Sequence, residues 1–551
     1  MGVAAITLRG SRARLLPAGL LAFAAAAGVY LFVATRNLEL PGVYMDAVNP
    51  DYLVVKVLNP AHERIVAWVL EGNYLLGNRV PWMISLYHGS HTFWFGLPLY
   101  ALFGTTVEGL RLTHAVFALG VLAGLFFLLR RAGLGPLAAA ACVTALGVDP
   151  SFTYAFRSQS YITLAPSAFV LAGAGLLVPA DHRWQKPAWS GFLAGFAAVG
   201  YFVQGFLLVA LLPALVLVTR GDARRNAMRG RFLAGLALGL APAFVGYALL
   251  MQHVGGPVAF LQFFGREQAA LGAFASPQPP AVRLEYAWTI LQGVIDNAWL
   301  HSMMFREWVP VPGGTLKVAC LTALPLGLWL VAEARRTATA ALRLCIAAPF
   351  AFVAVALVFG NRLGGHHYVI VLPWLYAALA LGLHAALVRV GQVARRGASI
   401  AALAVWAAAT ALNTAGQVSE ARVLRATGGV DTMSDAIDRY AADLDAMSPK
   451  PFVFFPDWGL ALPVAFLTRG TVAMDSVENF AAARQELCNG RDVHVALMHD
   501  REARATAWAQ ALAAVPEVRS WRQRDGAVVF DDVAFRASAA HAACANRAPR
   551  H

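Results

Sequence analysis

Charge is scarce in this chain. Asp, Glu, Lys and Arg make up 14% of its 551 residues, where a soluble globular chain carries about 25%. That scarcity excludes a soluble enzyme and a disordered chain. Lysine is nearly missing, with Lys56, Lys186, Lys317 and Lys450 alone, so arginine supplies most of the positive excess of +13. The arginines stand at the ends of apolar runs rather than along one face, which argues against a nucleic-acid partner. No GxxxxGK or GxGxxG stretch is present to cradle a nucleotide phosphate. No Cys/His spacing suggests zinc, and no tandem repeat marks a solenoid. Neither a metal nor a cofactor is expected. What the chain has in plenty is apolar residues, 58% of it, gathered in long blocks rather than in a helix or strand period. A polytopic α-helical membrane protein is the expected class.

Eleven spans are expected. They are Leu15–Thr35, Thr113–Leu129, Leu134–Gly147, Tyr161–Val178, Trp189–Val203, Gly205–Val218, Phe232–Met251, Leu316–Val331, Leu344–Phe359, Tyr368–Val388 and Ile400–Ala415. The first run, preceded by Arg9, Arg12 and Arg14, is long enough to span and reads as a retained helix rather than a cleaved signal. Arginine-rich ends belong in the cytoplasm. They include Arg130 with Arg131, the run Arg220 to Arg231, Arg335 with Arg336, and Arg395 with Arg396. With a cytoplasmic N-terminus, all of them fall inside only if Arg36–Leu112 makes no net crossing. The apolar run His91–Phe103, short and containing Pro98, is therefore expected to lie at the outer face, and Pro60–Leu76 to form a second surface-lying amphipathic helix.

This topology leaves outer loop 1 (36–112), a short loop Asp149–Ser160, a long outer loop (253–315) and the turn Asn361–His367 on the far side of the membrane. The domain plan is a membrane part, 1–415, and a small extracytoplasmic α/β domain, 416–551. In the latter, Asp431–Met447 and Arg501–Ala514 read as helices, Phe452–Phe455 and Val493–Leu497 as strands, and Val518–Phe530 as a hairpin turning at Asp525-Gly526. Cys488 and Cys544 fall in this domain, where an oxidising compartment would permit a disulfide. A bacterial inner (plasma) membrane is the expected location.

Two groups of residues could carry chemistry on the outer face. Asp46, soon after the first span and followed by Asp51, could act as a general base toward a hydroxyl; on spacing alone, a solvated loop acid or a helix cap at Asp51 is the better account. The second group is cationic or imidazole-bearing: His88, His91, Arg157, Arg306, Arg362, His366 and His367, with Tyr368 beside them. Arginines are unfavoured on the outer side, and a phosphate headgroup would explain their presence. Snorkelling or pairing with nearby acids explains single ones. The aromatic residues near this face, Trp94, Tyr100 and Trp299 among them, read first as an interfacial belt.

Three stretches resemble the GT-C superfamily of membrane glycosyltransferases, in particular relatives of protein mannosyltransferase and aminoarabinose transferase. The first is one span followed by a long outer loop with an early acid, Asp46. The second is Tyr87-His88-Gly89 through Pro98-Leu99-Tyr100 to Phe103-Gly104, then Val107-Glu108-Gly109-Leu110-Arg111-Leu112. The third is Arg362 with His367-Tyr368-Val369-Ile370-Val371-Leu372-Pro373. The resemblance implies transfer of a sugar from a polyprenyl-phosphate-linked donor to an acceptor on a lipid, glycan or protein, with Asp46 at the position of the family's catalytic acid. Two departures stand out. The family often carries paired acids there, whereas Ala47 follows Asp46. The short second outer loop has Arg157, Ser158 and Gln159 in place of metal-binding acids, which argues against a divalent metal and a pyrophosphate-linked donor. A secondary transporter is disfavoured because the spans are nearly free of charge. A non-enzymatic subunit of an envelope assembly complex would leave Asp46 dispensable.

Overall fold

The computed structural model describes residues 12–65, 74–75, 80–159, 161–179, 185–220, 222–271, 278–387, 392–539 and 544. Long unbroken apolar runs can satisfy their backbone only within a helix when no water is at hand, and each expected run is built on helix. Among the described residues six helices are long and apolar enough to cross a membrane: Val107–Arg131, Arg225–His253, Gly314–Ala334, Ala340–Arg362, Gly365–Leu387 and Ser399–Thr427. Shorter apolar helices occupy Ala18–Ala34, Pro136–Gly147, Tyr161–Leu177 and Phe202–Val218. The run at 189–203 lies on the helix Pro187–Gly200. His91–Phe103 is helical, with Pro98 inside it.

One helix pair meets backbone to backbone. Gly191 and Gly195 on Pro187–Gly200 face Gly235 and Gly239 on Arg225–His253. A methyl group on any of the four would sit inside contact distance of the other helix, at the carbonyls of Phe232, Leu236, Ala188 and Phe192 respectively. Two small-xxx-small pairs are the usual device for such an approach in an apolar medium.

Residues 436–539 carry a five-stranded sheet in the order Ala473–Asp475, Phe452–Phe454, Val493–Leu497, Val528–Phe535, Glu517–Arg522. The first three strands run parallel and the last two antiparallel to their neighbours. The expected hairpin is present, turning through Gly526 at φ 92°. The Asp431–Met447 stretch is a short 3-10 turn followed by the helix Ala436–Ala446. Three elements lacked a sequence signal: the helices Ala461–Leu467 and Phe480–Cys488 and the strand Ala473–Asp475. Cys488 and Cys544 form a disulfide. The helix Gln392–Thr427 runs without a break through residues 415 and 416.

Outer loop 1 differs from the expectation of a second amphipathic helix. Residues 60–65 are not helical, and Tyr74–Leu75 pairs as a strand with Val80–Pro81; the rest of Pro60–Leu76 lies outside the described residues. The segment instead takes its hydrogen bonds from the C-terminal region, Glu63 N–H donating to the Gly470 carbonyl at 2.8 Å and Met474 N–H to that of Arg64 at 2.9 Å. Loop 1 and the C-terminal region share one apolar core, in which Val43, Val48 and Tyr52 pack with Ile437, Tyr440 and Phe466.

The bundle also contains a buried ion pair. Lys317 Nζ lies 2.8 Å from Asp149 Oδ1. Asp149 accepts from the Tyr376 hydroxyl at 2.8 Å, and Asn413 Nδ2 donates to that hydroxyl at 2.8 Å. Removing one partner of such a pair strands the other charge, at about 3–5 kcal/mol. Lys317→Met is therefore expected to lower the thermal unfolding midpoint of the detergent-solubilised protein, and Asp149→Asn added to it to recover part of the loss.

Candidate active site

Asp46 lies on a single helical turn, Met45–Val48, entered from extended backbone at Tyr44. A four-residue turn has no stability of its own, so its neighbours fix it. Gly42 N–H donates to the Met433 carbonyl at 2.8 Å, Val43 N–H to Asp438 Oδ1 at 3.0 Å, and Arg111 Nη2 to the Pro41 carbonyl at 2.9 Å. A side chain on Gly42 would collide with the Ser434 carbonyl.

The half-buried Asp46 opens on a cavity of about 680 Å³. Gln159 Nε2 donates to Asp46 Oδ2 at 2.6 Å. Burial raises the Asp46 pKa to about 6, with the Gln159 hydrogen bond holding it down in part. His88 shares the cavity; burial, then His91, push its pKa down to about 3, so it is a neutral hydrogen-bonding group. The Tyr201 hydroxyl is 3.3 Å from His367 Nε2, and His367 Nδ1 is 3.3 Å from the Gly364 carbonyl. Since a carbonyl can only accept, Nδ1 carries the proton and Nε2 accepts from the tyrosine. Arg362 and His366 line the same space. Arg362 is exposed there and has no hydrogen-bond or ion-pair partner among the described residues. Phe202, Phe359, Tyr247 and Phe264 give the cavity an apolar side, and Trp458 reaches it from the C-terminal region.

Five of the ten expected site residues thus meet: Asp46, His88, Arg362, His366 and His367. The other five line no part of the cavity. Asp51 is fully buried and accepts from the Tyr100 hydroxyl, with His114 Nε2 at 3.5 Å. His91 is stacked on Trp94, its Nε2 2.9 Å from the Phe196 carbonyl. Arg157 donates to the carbonyls of Ala34, Arg36 and Asn37 at the C-terminal end of the first helix, where a cation completes orphan carbonyls and meets the negative end of the dipole. Arg306 pairs with Asp431 at 2.6 Å. Tyr368 is buried edge-on to Phe352. Gln159, Tyr201 and Trp458 were not singled out from sequence. Gln159 stood in view, in the loop where acids are missing; Trp458 carried no signal because its partner, Tyr44, is remote in the chain. Among the described residues no three side chains of His, Cys, Asp or Glu gather as a metal site.

Replacing Gln159 with Leu removes the one hydrogen bond that favours ionised Asp46 and is expected to move its titration above 6. The protonated-carboxyl infrared band, identified by its loss in Asp46→Asn, reads that shift.

No family description and no curated protein matches the sequence. Solved structures do. ArnT from Cupriavidus metallidurans bound to undecaprenyl phosphate is 16% identical, with a TM-score of 0.59 over 94% of this chain and 97% of that one. The apo state of the same protein gives 15%, 0.52, 94% and 98%. Arabinofuranosyltransferase AftD from Mycobacteria is 16% identical over 93% of this chain but 40% of its own, at a TM-score of 0.40. This membrane-embedded chain thus shares the fold of ArnT over 94% of its length.

Proposed function

We propose that the protein is an inverting glycosyltransferase that moves a sugar from a polyprenyl-phosphate donor to an acceptor hydroxyl at the outer face of the membrane, with Asp46 as general base. One observation carries the reading: an acid tuned to about 6 and an unpaired arginine line a single cavity that has an apolar side. ArnT, whose fold the chain shares, was solved with undecaprenyl phosphate bound, which supports a lipid phosphate as the donor's carrier.

In this account the polyprenyl tail lies along Phe202, Phe359 and Phe264, and the phosphate meets the Arg362 guanidinium, whose planar fork matches phosphate oxygens. The acceptor oxygen attacks the anomeric carbon while the bond from that carbon to the phosphate oxygen breaks, and the acceptor proton passes to Asp46. A phosphate leaving group needs no acid; it needs positive charge and hydrogen bonds where its own charge grows. Arg362 supplies the charge. His88, His366 and His367 supply hydrogen bonds. A base with a pKa near 6 is ionised at neutral pH yet remains basic enough to take a proton in the transition state.

The wider expectations fit this reading. Eleven crossings, a cytoplasmic N-terminus and an extracytoplasmic C-terminal α/β domain put Asp46 on the non-cytoplasmic side of a bacterial inner membrane, with the arginine clusters inside. The weakly buried helices Arg225–His253 and Ser399–Thr427 then face lipid. The disulfide between Cys488 and Cys544 suits an oxidising compartment.

Asp46→Asn is expected to lower transfer from polyprenyl-phosphate sugars by about 10²–10⁴-fold, with expression and unfolding midpoint unchanged. An active Asp46→Asn enzyme would remove Asp46 from the mechanism. In the wild type, kcat/KM should fall tenfold per pH unit below about 6, because the base is then protonated. Arg362→Ala is expected to raise the donor KM more than the acceptor KM in the same radiolabelled-sugar assay.

A further inference from the structure

The cavity has a rim that the transfer step leaves unused. Trp458 lines the cavity yet is 48% exposed, a large apolar face held in water beside the reacting acid. Its ring meets that of Tyr44, two residues before Asp46, edge-on at 5.4 Å. The turn bearing Trp458 is pinned from behind: Asp457 accepts from Arg504 Nη1 at 2.7 Å and from Met498 N–H at 2.7 Å. The backbone that carries the indole is therefore held in place, and the ring itself rests on Tyr44 although solvent reaches it.

Polar groups flank this aromatic pair. Arg306 Nη2 lies 2.6 Å from Asp431 Oδ2 and 3.2 Å from Thr432 Oγ1. Thr432 borders Gly459, next to Trp458, and the Arg306 and Asp431 charges act on the Tyr44 hydroxyl. Both charged residues are partly exposed, and both hold a left-handed backbone, φ 63° for Arg306 and 55° for Asp431. For Arg306 this is the left-handed cap that ends the helix Ala298–Phe305 and sets its side chain toward Asp431.

A flat apolar face edged by planar charged groups matches a sugar ring. One side of a pyranose presents C–H groups that lie on an aromatic face, while its edge presents hydroxyls that both donate and accept. A guanidinium and a carboxylate together answer both roles. A peptide hydroxyl acceptor would need an extended groove with backbone partners instead. We propose that Tyr44, Trp458 and the Arg306–Asp431–Thr432 cluster form an acceptor subsite for a saccharide, so that the hydroxyl presented to Asp46 belongs to a glycan. This rests on the glycosyltransferase reading for its direction of transfer, but binding at the rim can be measured without any transfer.

The test uses the full-length protein in lipid nanodiscs on a printed array of mono- to tetrasaccharides. The wild type should bind at least one printed saccharide. Trp458→Ala should weaken that binding tenfold or more at an unchanged unfolding midpoint, and Trp458→Phe should restore part of it. Equal binding by Trp458→Ala and wild type, or binding of no printed saccharide by the wild type, overturns the subsite. In the transfer assay, Trp458→Ala should raise the acceptor KM about tenfold and leave kcat at saturating acceptor and the donor KM nearly unchanged. An unaltered acceptor KM also overturns the proposal. Saccharide binding lost in Trp458→Ala, together with full activity of Asp46→Asn, would keep the subsite and discard the catalytic account.

Discussion

Asp46 is held by a clamp rather than by an element of its own. The loop after the first helix is wedged between the helical bundle and the C-terminal region. Arg111 grips it from the bundle side, and Met433 and Asp438 hold consecutive N–H groups from the other. Buried Val43, Val48 and Tyr52 make the wedge apolar, so displacing it would expose a shared core to water. The cavity, the tuning of its acid and the aromatic rim all depend on this seat. It also explains why the C-terminal region, distant in sequence, reaches the site through Trp458.

The helical bundle was legible because apolar runs of spanning length leave the backbone one choice. In the C-terminal region the strands Phe452–Phe454 and Val493–Leu497 and the hairpin at Gly526 were readable from local alternation and turn chemistry. The strand Ala473–Asp475 was not, since three residues carry no period. The failure at Pro60–Leu76 has a similar cause: its amphipathic pattern matched a surface helix, while its Glu63 and Arg64 backbone groups found partners in a segment some four hundred residues away, which no local pattern encodes.

At the site, sequence identified the residue types but not the grouping. Arginine on the outer side had been a reason to expect an anion. The structure divides those arginines by partner: Arg157 on helix-end carbonyls, Arg306 on Asp431, and Arg362 alone facing the cavity. Pairing, a tertiary property, separates the cation that faces the cavity without a protein partner from those already engaged with protein groups. Asp149 and Lys317 carry the same lesson, since a loop acid and a span-end lysine look unrelated until they meet.

The glycine seam between Pro187–Gly200 and Arg225–His253 bears on the stiffness of the cavity wall. Ala198 and Val199 from one helix and Ala243 from the other line it, and two helices in backbone contact cannot slide without opening a void or a clash. They form a single stiff plate. Any widening of the cavity falls to the opposite walls, among them the helix Pro257–Leu271, which carries Phe264 and begins just after Gly255 and Gly256, both at positive φ.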